Sequence, residues 1–304
     1  MELWIDLHTL PERYALHQEQ NLNPFRAISN HALSLIRRGE NGVIWAGDGK
    51  RGGNYLYVWL RADSRLASGR RTPFLYKENM RDWLQEFPAL KELTISREEV
   101  KFTMPRFSEW PINYGEDFTE SDLNEFLERR LLSSEAFGAK ISAASSAIDQ
   151  HQLTINIRRG DYYSTPFEEI YGIDIESFVA EAITHFDHFT SIRVISDDLE
   201  WCRTHSDMFP SNLPIHFGGV TPGVFGDLAA LACSSKLILP NSTFSYWGGF
   251  LSDLLSQKRN KIVVPEIHER YVDESRAWPL PAWWTRVNAI SSLHSGAMPD
   301  ELDD

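Results

Sequence analysis

The sequence predicts an α/β protein whose second half is a parallel sheet with helices on both faces. Three observations predict it. Short apolar runs recur after Gln150, at 153–157, 191–196, 236–240 and 261–265. Helical patterns separate or follow them, near 174–187, 198–206, 226–234 and 246–256. The first three of these strands end in loops rich in polar hydrogen-bonding residues. Short apolar strands alternating with helices are the pattern of a Rossmann-like parallel sheet.

Taken in order, the chain opens with about 40 residues that carry no strong motif. Within them, 24–39 reads as an amphipathic helix, with Pro24 at its start and Gly39 after its end. A short strand is expected at 42–46, then a glycine-rich turn, "GDGKRGGNY", at 47–55. A helical stretch follows, with Leu56, Trp59, Leu60 and Ala67 at helical spacing, and closes at Gly69. Strand, glycine-rich loop and helix form the pattern of an α/β nucleotide or sugar site, or equally an ordinary tight turn. Residues 70–118 read as irregular and rich in Phe, Pro and Trp. Helical patterning returns at 119–132 and 134–149, where the domain junction is placed. The expected division is an N-terminal extension at 1–41, domains at 42–149 and 150–290, and an acidic tail at 291–304.

Composition narrows the function. At 304 residues with 42% hydrophobic content, the chain can bury a large core. A net charge of −13 argues against a nucleic-acid partner, which normally meets a basic face. Two cysteines, Cys202 and Cys233, imply no disulfide framework and suit a reducing compartment. The N-terminus shows no signal pattern, and no apolar run reaches membrane-spanning length. The expectation is a cytoplasmic protein without an integral membrane segment; nothing in the sequence fixes its oligomeric state.

The strand 153–157 leads into "RRGDYYSTP", in which Leu153, Ile155 and Ile157 alternate with polar residues as if one face were buried. It delivers Arg158 and Arg159 to its carboxyl end, the edge at which parallel sheets bind ligands. The next strand ends in Ser196, Asp197 and Asp198, and a third in Asn241, Ser242, Thr243, Phe244 and Ser245. All three loops should therefore meet on one rim. Two planar guanidinium forks suit a diphosphate, and a hydroxyl-rich loop ahead of a helix start suits phosphate as well. Plainer readings stand beside these. The arginines could form a structural ion pair with Asp161, and Ser196-Asp197-Asp198 could be a helix cap. The Arg-Gly-Asp triplet begins at the end of a core strand, which argues against an adhesion motif. Asn241-Ser242-Thr243 has little weight as a glycosylation acceptor without a signal peptide. His185 and His188 in "HFDHF" fall where a helix should end, more in keeping with a solvated terminus than a metal pair.

At this point "INIRRGDYY", "VISDDLEWC" and "GDLAALACSSKLILPNSTFSYWGGFLSDL" together resemble the α-1,2-fucosyltransferases in order and spacing. "GGNYLYVWLRADSRLASG" resembles that family's glycine-rich opening segment more loosely. The resemblance spans about 42–285. It implies a GT-B-like pair of Rossmann-like domains, with the donor site in the C-terminal one and the acceptor side in the other. It implies inverting, metal-independent transfer from GDP-fucose to a glycan acceptor, with no cofactor. By that resemblance Arg158 and Arg159 take the donor pyrophosphate, and Asp161 and Tyr162 shape the same loop. Asp227, Ser196, Asp197 and Asp198 become candidates for guanine and ribose. Asn241, Ser242, Thr243, Phe244 and Ser245 become candidates for phosphate and fucose, while Gly52, Gly53 and Asn54 face the cleft from the first domain.

Two positions depart from the family pattern: Asn156 stands where a histidine is usual, which leaves open a non-catalytic nucleotide-sugar binder or a transferase of another GDP-sugar, and Tyr55 stands where a glutamine is usual. The mechanism needs positive charge where GDP leaves. The sequence contains no Asp-x-Asp metal motif, and the arginine pair can supply that charge instead. A carboxylate is the expected acceptor of the sugar hydroxyl's proton, with Asp161 as the candidate.

Overall fold

A computed structural model describes residues 41–47, 50–108, 111–269 and 280–289, together with Arg37 and Gly39. Apart from those two residues, the helix expected at 24–39 lies outside the described residues, as does the acidic tail. The chain divides into two compact units, the first ending at Ala139 and the second starting at Lys140. Each is α/β and built on a parallel sheet, which is the plan of a GT-B-like chain. No helix among the described residues is long and apolar enough to cross a membrane. Both cysteines are free.

The first unit has four strands: β1 (Val43–Ile44), β2 (Phe74–Leu75), β3 (Thr94–Ile95) and β4 (Arg106–Phe107). Their order is β3–β2–β1–β4, all parallel. Three of them fall in 70–118, which the sequence presents as irregular. A two-residue strand cannot show a two-residue period, so the pattern had nothing to display. Helix α1 (Gly52–Ala67) buries Tyr55, Tyr57 and Trp59 and starts inside the glycine-rich segment expected to be a turn. Gly52 and Gly53 are its first two residues, and a β-carbon on Gly52 would overlap the Trp83 indole. Gly52 there admits a ring, which a sequence pattern cannot distinguish from admitting a ligand. Helices α2 (Arg81–Glu86) and α3 (Glu120–Phe126) follow, and α3 runs on into a π-helical turn at Leu127–Leu132. That turn puts Arg129 and Arg130 onto the buried Asp63 carboxylate, at 2.8 and 2.7 Å.

Helix α4 (Glu135–Ala147) leads to the second unit's sheet. Its strands are β5 (Gln152–Ile157), β6 (Ser191–Ser196), β7 (Ile215–Phe217), β8 (Lys236–Ile238), β9 (Lys261–Pro265) and β10 (Thr285–Val287). Helices α5 (Ile175–Ile183), α6 (Leu199–Thr204), α7 (Val224–Ala232) and α8 (Thr243–Ser256) connect them. The order is β10–β9–β8–β5–β6–β7, again all parallel. The chain builds outward from β5 through β6 to β7, then returns to build β8, β9 and β10 on the other side. The reversal falls between β5 and β8. β7 and β10 are three-residue edge strands that the apolar pattern did not reveal.

β5 is buried on both faces, not on one, since all six of its residues are shielded from solvent. Leu153, Ile155 and Ile157 join Phe178, Val179 and Val194 in an apolar core cluster. On the opposite face Thr154 meets Ser234 at 2.7 Å, and Gln152 accepts a hydrogen bond from Arg193 at 2.9 Å. The polar residues of the alternation therefore mark a second buried layer of satisfied hydrogen bonds. Helices α7 and α8 pack over this layer at close range. A β-carbon on Gly248 would lie 2.6 Å from the Leu231 β-carbon. Gly248→Ala should therefore push the two helices apart and cost about 1–3 kcal/mol in urea unfolding. An unchanged midpoint would mean that the helices are not seated on that glycine.

Candidate functional site

The β5–β8 reversal leaves a crevice at the carboxyl ends of the two strands, since the loops that follow them run to opposite sides. The residues flanking it are the ones the sequence singles out. Arg158 and Arg159 leave β5, and Asn241 to Ser245 follow β8. The Ser196–Asp198 turn follows β6, the neighbour of β5.

These loops are tied to one another by direct bonds. Asp197 binds twice: Oδ2 accepts from Arg158 Nη1 at 2.6 Å, and Oδ1 from the Arg159 backbone N–H at 2.9 Å. Gly160 follows with a positive φ of 27°, and a β-carbon there would lie 2.5 Å from Asp197 Oδ2. Only glycine lets the carboxylate approach so closely. The Arg159 guanidinium lies 4.2 Å from the Trp201 ring centre and 5.0 Å from that of Tyr163. Its buried Nε is 3.3 Å from Asp198 Oδ2 but makes no hydrogen bond. Asp198 is also the cap of α6, accepting from Trp201 N–H at 3.0 Å. The helix-cap reading of this turn thus holds for Asp198, while Asp197 and Asp198 are the observed carboxylate partners of the arginines. The Asp161 side chain lies outside the described residues.

Two more bonds join β5 to the loop after β8. Asn156, 6% exposed, accepts from Ser245 Oγ at 2.5 Å and donates to Ile195 O at 2.9 Å. Tyr162 reaches Asn241 O at 3.5 Å. Asn241 is buried and donates from Nδ2 to the backbone carbonyls of Tyr171 and His268, both at 2.8 Å. Ser242 caps α8 with its backbone alone, leaving its side chain outside the capping bonds. Thr243 and Phe244 begin that helix half-buried.

Three groups pass unnoticed in the sequence: Tyr171, His268 and Glu269. The Tyr171 ring stacks on Tyr162 at 5.0 Å with an interplanar angle of 20°. It also meets the His268 ring edge-on at 5.9 Å. Burial holds the His268 imidazole neutral, its pKa pushed down to about 3. Burial raises the Glu269 carboxyl, although a Tyr171 hydrogen bond favours its charged form. The signal was present: 261–265 is a strand of the same sheet, so "EIHE" behind it falls on the same rim. Trp201, the platform for Arg159, was visible only as a helical residue.

The remaining sequence candidates lie elsewhere. Asp227 sits in the first turn of α7, where its carboxylate accepts from Gly219 N–H at 2.9 Å and burial raises its pKa. Gly52, Gly53 and Asn54 belong to the first unit, in the opening turn of α1. Among the described residues no cluster of His, Cys, Asp and Glu could hold a metal ion.

The described residues thus form an α/β protein with two adjacent arginines at the reversal of a parallel sheet. The chain belongs to glycosyl transferase family 11, whose model matches residues 79–283. An alpha-1,2-colitosyltransferase of Escherichia coli is 30% identical over 109 residues, which is 34% of this chain and 37% of that protein. The chain thus aligns with little more than a third of that relative's length. Two solved structures are distantly similar. POFUT1 in complex with GDP-fucose has a TM-score of 0.42 and 10% identity, covering 75% of this chain and 98% of that one. The glycosyl transferase family 9 protein from Veillonella parvula DSM 2008 has a TM-score of 0.43 and 11% identity, covering 84% and 89%. Both likenesses are too slight to carry an argument here.

The buried His268 makes stability depend on pH. Below about pH 6.5 the unfolded chain binds a proton that the folded imidazole refuses until about pH 3. Stability should therefore fall as pH drops through that window, by about 1.4 kcal/mol from this group at pH 5.5. Urea unfolding of the parent and of His268→Asn at pH 7.5 and 5.5 checks this. The variant should lose less on acidification, and equal losses would show that the ring is protonated in the folded state.

Proposed function

We propose that this protein transfers L-fucose from GDP-fucose to a glycan hydroxyl, with inversion, in α-1,2 linkage and without a metal ion. The observation that carries the reading is the Arg158–Arg159 pair at the β5–β8 reversal of a family 11 chain. As the fucosyl–phosphate bond breaks, negative charge gathers on GDP, and two fixed guanidiniums at the crevice would meet it without reorganising. Asp197 holds Arg158 and the Arg159 backbone in place before any ligand arrives. Asn156 uses both ends of its amide to fasten β5 to β6 and α8. In this reading it organises the arginine loop and carries no proton.

A second donor is favoured by one observation, the resemblance to an alpha-1,2-colitosyltransferase. Colitose from its GDP-sugar would then replace fucose at the same arginines, with the linkage unchanged.

Incubation with GDP-fucose, GDP-colitose and GDP-mannose, followed by melting temperature and GDP release, decides among these readings. The donor should raise the melting temperature, because it binds only the folded state. Turnover should be unchanged in excess EDTA. Loss of turnover in EDTA with recovery on adding Mn²⁺ would overturn the metal-free mechanism, and no response to any GDP-sugar would overturn the donor site.

The arginines make a separate prediction. An ammonium cannot reproduce the planar fork, so Arg158→Lys and Arg159→Lys should weaken GDP binding nearly as much as replacement by Ala. A double Ala variant that binds GDP with parental affinity would remove the arginines from the site.

A further inference from the structure

We propose that Glu269 is the general base of the transfer, the carboxylate that takes the proton from the acceptor hydroxyl. This rests on the donor reading above and adds the group that reading leaves unassigned. Glu269 follows β9, the strand beside β8, and so stands on the same rim as the arginines. The His268 carbonyl just before it is pinned by Asn241 Nδ2, which fixes the segment to the loop after β8. Its carboxylate is held by a hydrogen bond from Tyr171.

Tyr171 links this carboxylate to the arginines. Its ring stacks on Tyr162 at 5.0 Å, and the Arg158 guanidinium lies 5.5 Å from the centre of the Tyr162 ring. Two half-buried tyrosine rings thus lie in series between a cation and a carboxylate. An inverting displacement needs the base and the arginines apart from each other, because the leaving group and the entering oxygen occupy opposite sides of the anomeric carbon. In the step, the acceptor O–H proton passes to Glu269 and the acceptor oxygen bonds to the anomeric carbon. The bond from that carbon to the β-phosphate oxygen breaks, and its electron pair leaves on GDP beside Arg158 and Arg159.

Of the other described carboxylates near these loops, Asp197 is bonded to the arginine loop and Asp198 caps α6 beside Arg159, while Glu266, the first residue after β9, is exposed to solvent where Glu269 is half-buried. Glu269 is half-buried and its ordinary pKa is raised by burial, which suits a group that must accept a proton near neutral pH. Among the described residues, the titratable group that meets it is the Tyr171 hydroxyl, and the buried neutral His268 precedes it on its own segment.

Glu269→Gln preserves shape and removes the base. In the full-length protein it should lower kcat by about 10²–10⁴ while leaving GDP-fucose affinity, measured calorimetrically, within about threefold. The parent's acid limb in kcat against pH should vanish in this variant. Tyr171→Phe is the positioning control. Removing its hydrogen bond should move the acid limb to higher pH while most of kcat is kept, a shift that a merely structural tyrosine would not produce. A Gln variant that binds donor and keeps kcat within about threefold of the parent overturns the assignment. A parent that neither binds nor turns over GDP-fucose overturns the donor reading, and this base with it.

Discussion

The Asp197 carboxylate bridges two successive residues of another strand's loop, one through a side chain and one through the backbone. It can do so because β5 and β6 are paired in register over their whole length, Gln152 with Ser191 through Ile157 with Ser196. Asp197 therefore leaves the sheet at the height where Arg158 and Arg159 leave it. Without that brace two adjacent guanidiniums would repel each other and take many rotamers. With it, Arg158 is oriented at one edge, and Arg159 lies against the Trp201 and Tyr163 rings. A charge-assisted bond of this kind is roughly twice as strong as a neutral one and is directional, which is what preorganisation requires.

The same strand supplies rigidity from beneath. β5 contributes a polar layer that is buried and satisfied: Gln152 with Arg193, Thr154 with Ser234, and Asn156 with Ser245 and Ile195. Such a network is costly if broken and specific if whole, since an unpaired buried partner costs about 1–3 kcal/mol. Its last member, Asn156, is two residues from the first arginine, so the network ends where the candidate site begins. The first unit has a comparable device, with Asp63 buried beneath Arg129 and Arg130 on the π-helical turn.

Legibility in the sequence followed length. Strands of five or six residues, such as β5, β6 and β9, could be read from apolar runs alone. The two-residue β1 and three-residue β8 were read as well, from the apolar segments 42–46 and 236–240, whereas the equally short β2, β3, β4, β7 and β10 were not, because a period needs several repeats to be seen. The glycines at 52 and 53 were legible as glycines but not as what they admit, which is the Trp83 ring in one case. The arginine loop, the Asp197–Asp198 turn and the Asn241–Ser245 loop were legible because strand polarity alone puts their strands' carboxyl ends on one rim.

The sequence by itself determined the α/β class of the second unit, the carboxyl-end placement of the arginines and the residues of the three loops. These depend on local periodicity and on chain direction, which a linear pattern records. Tertiary structure decided the strand order, and with it the β5–β8 reversal, because that order depends on which side of the sheet each crossover takes. It also decided the partners. Asp197 and Asp198 meet the arginines, and Tyr171 is brought against Tyr162 and His268 across distances no periodicity spans. A side chain's neighbours in space are set by the packing of whole elements, and a residue's type constrains that packing without fixing it.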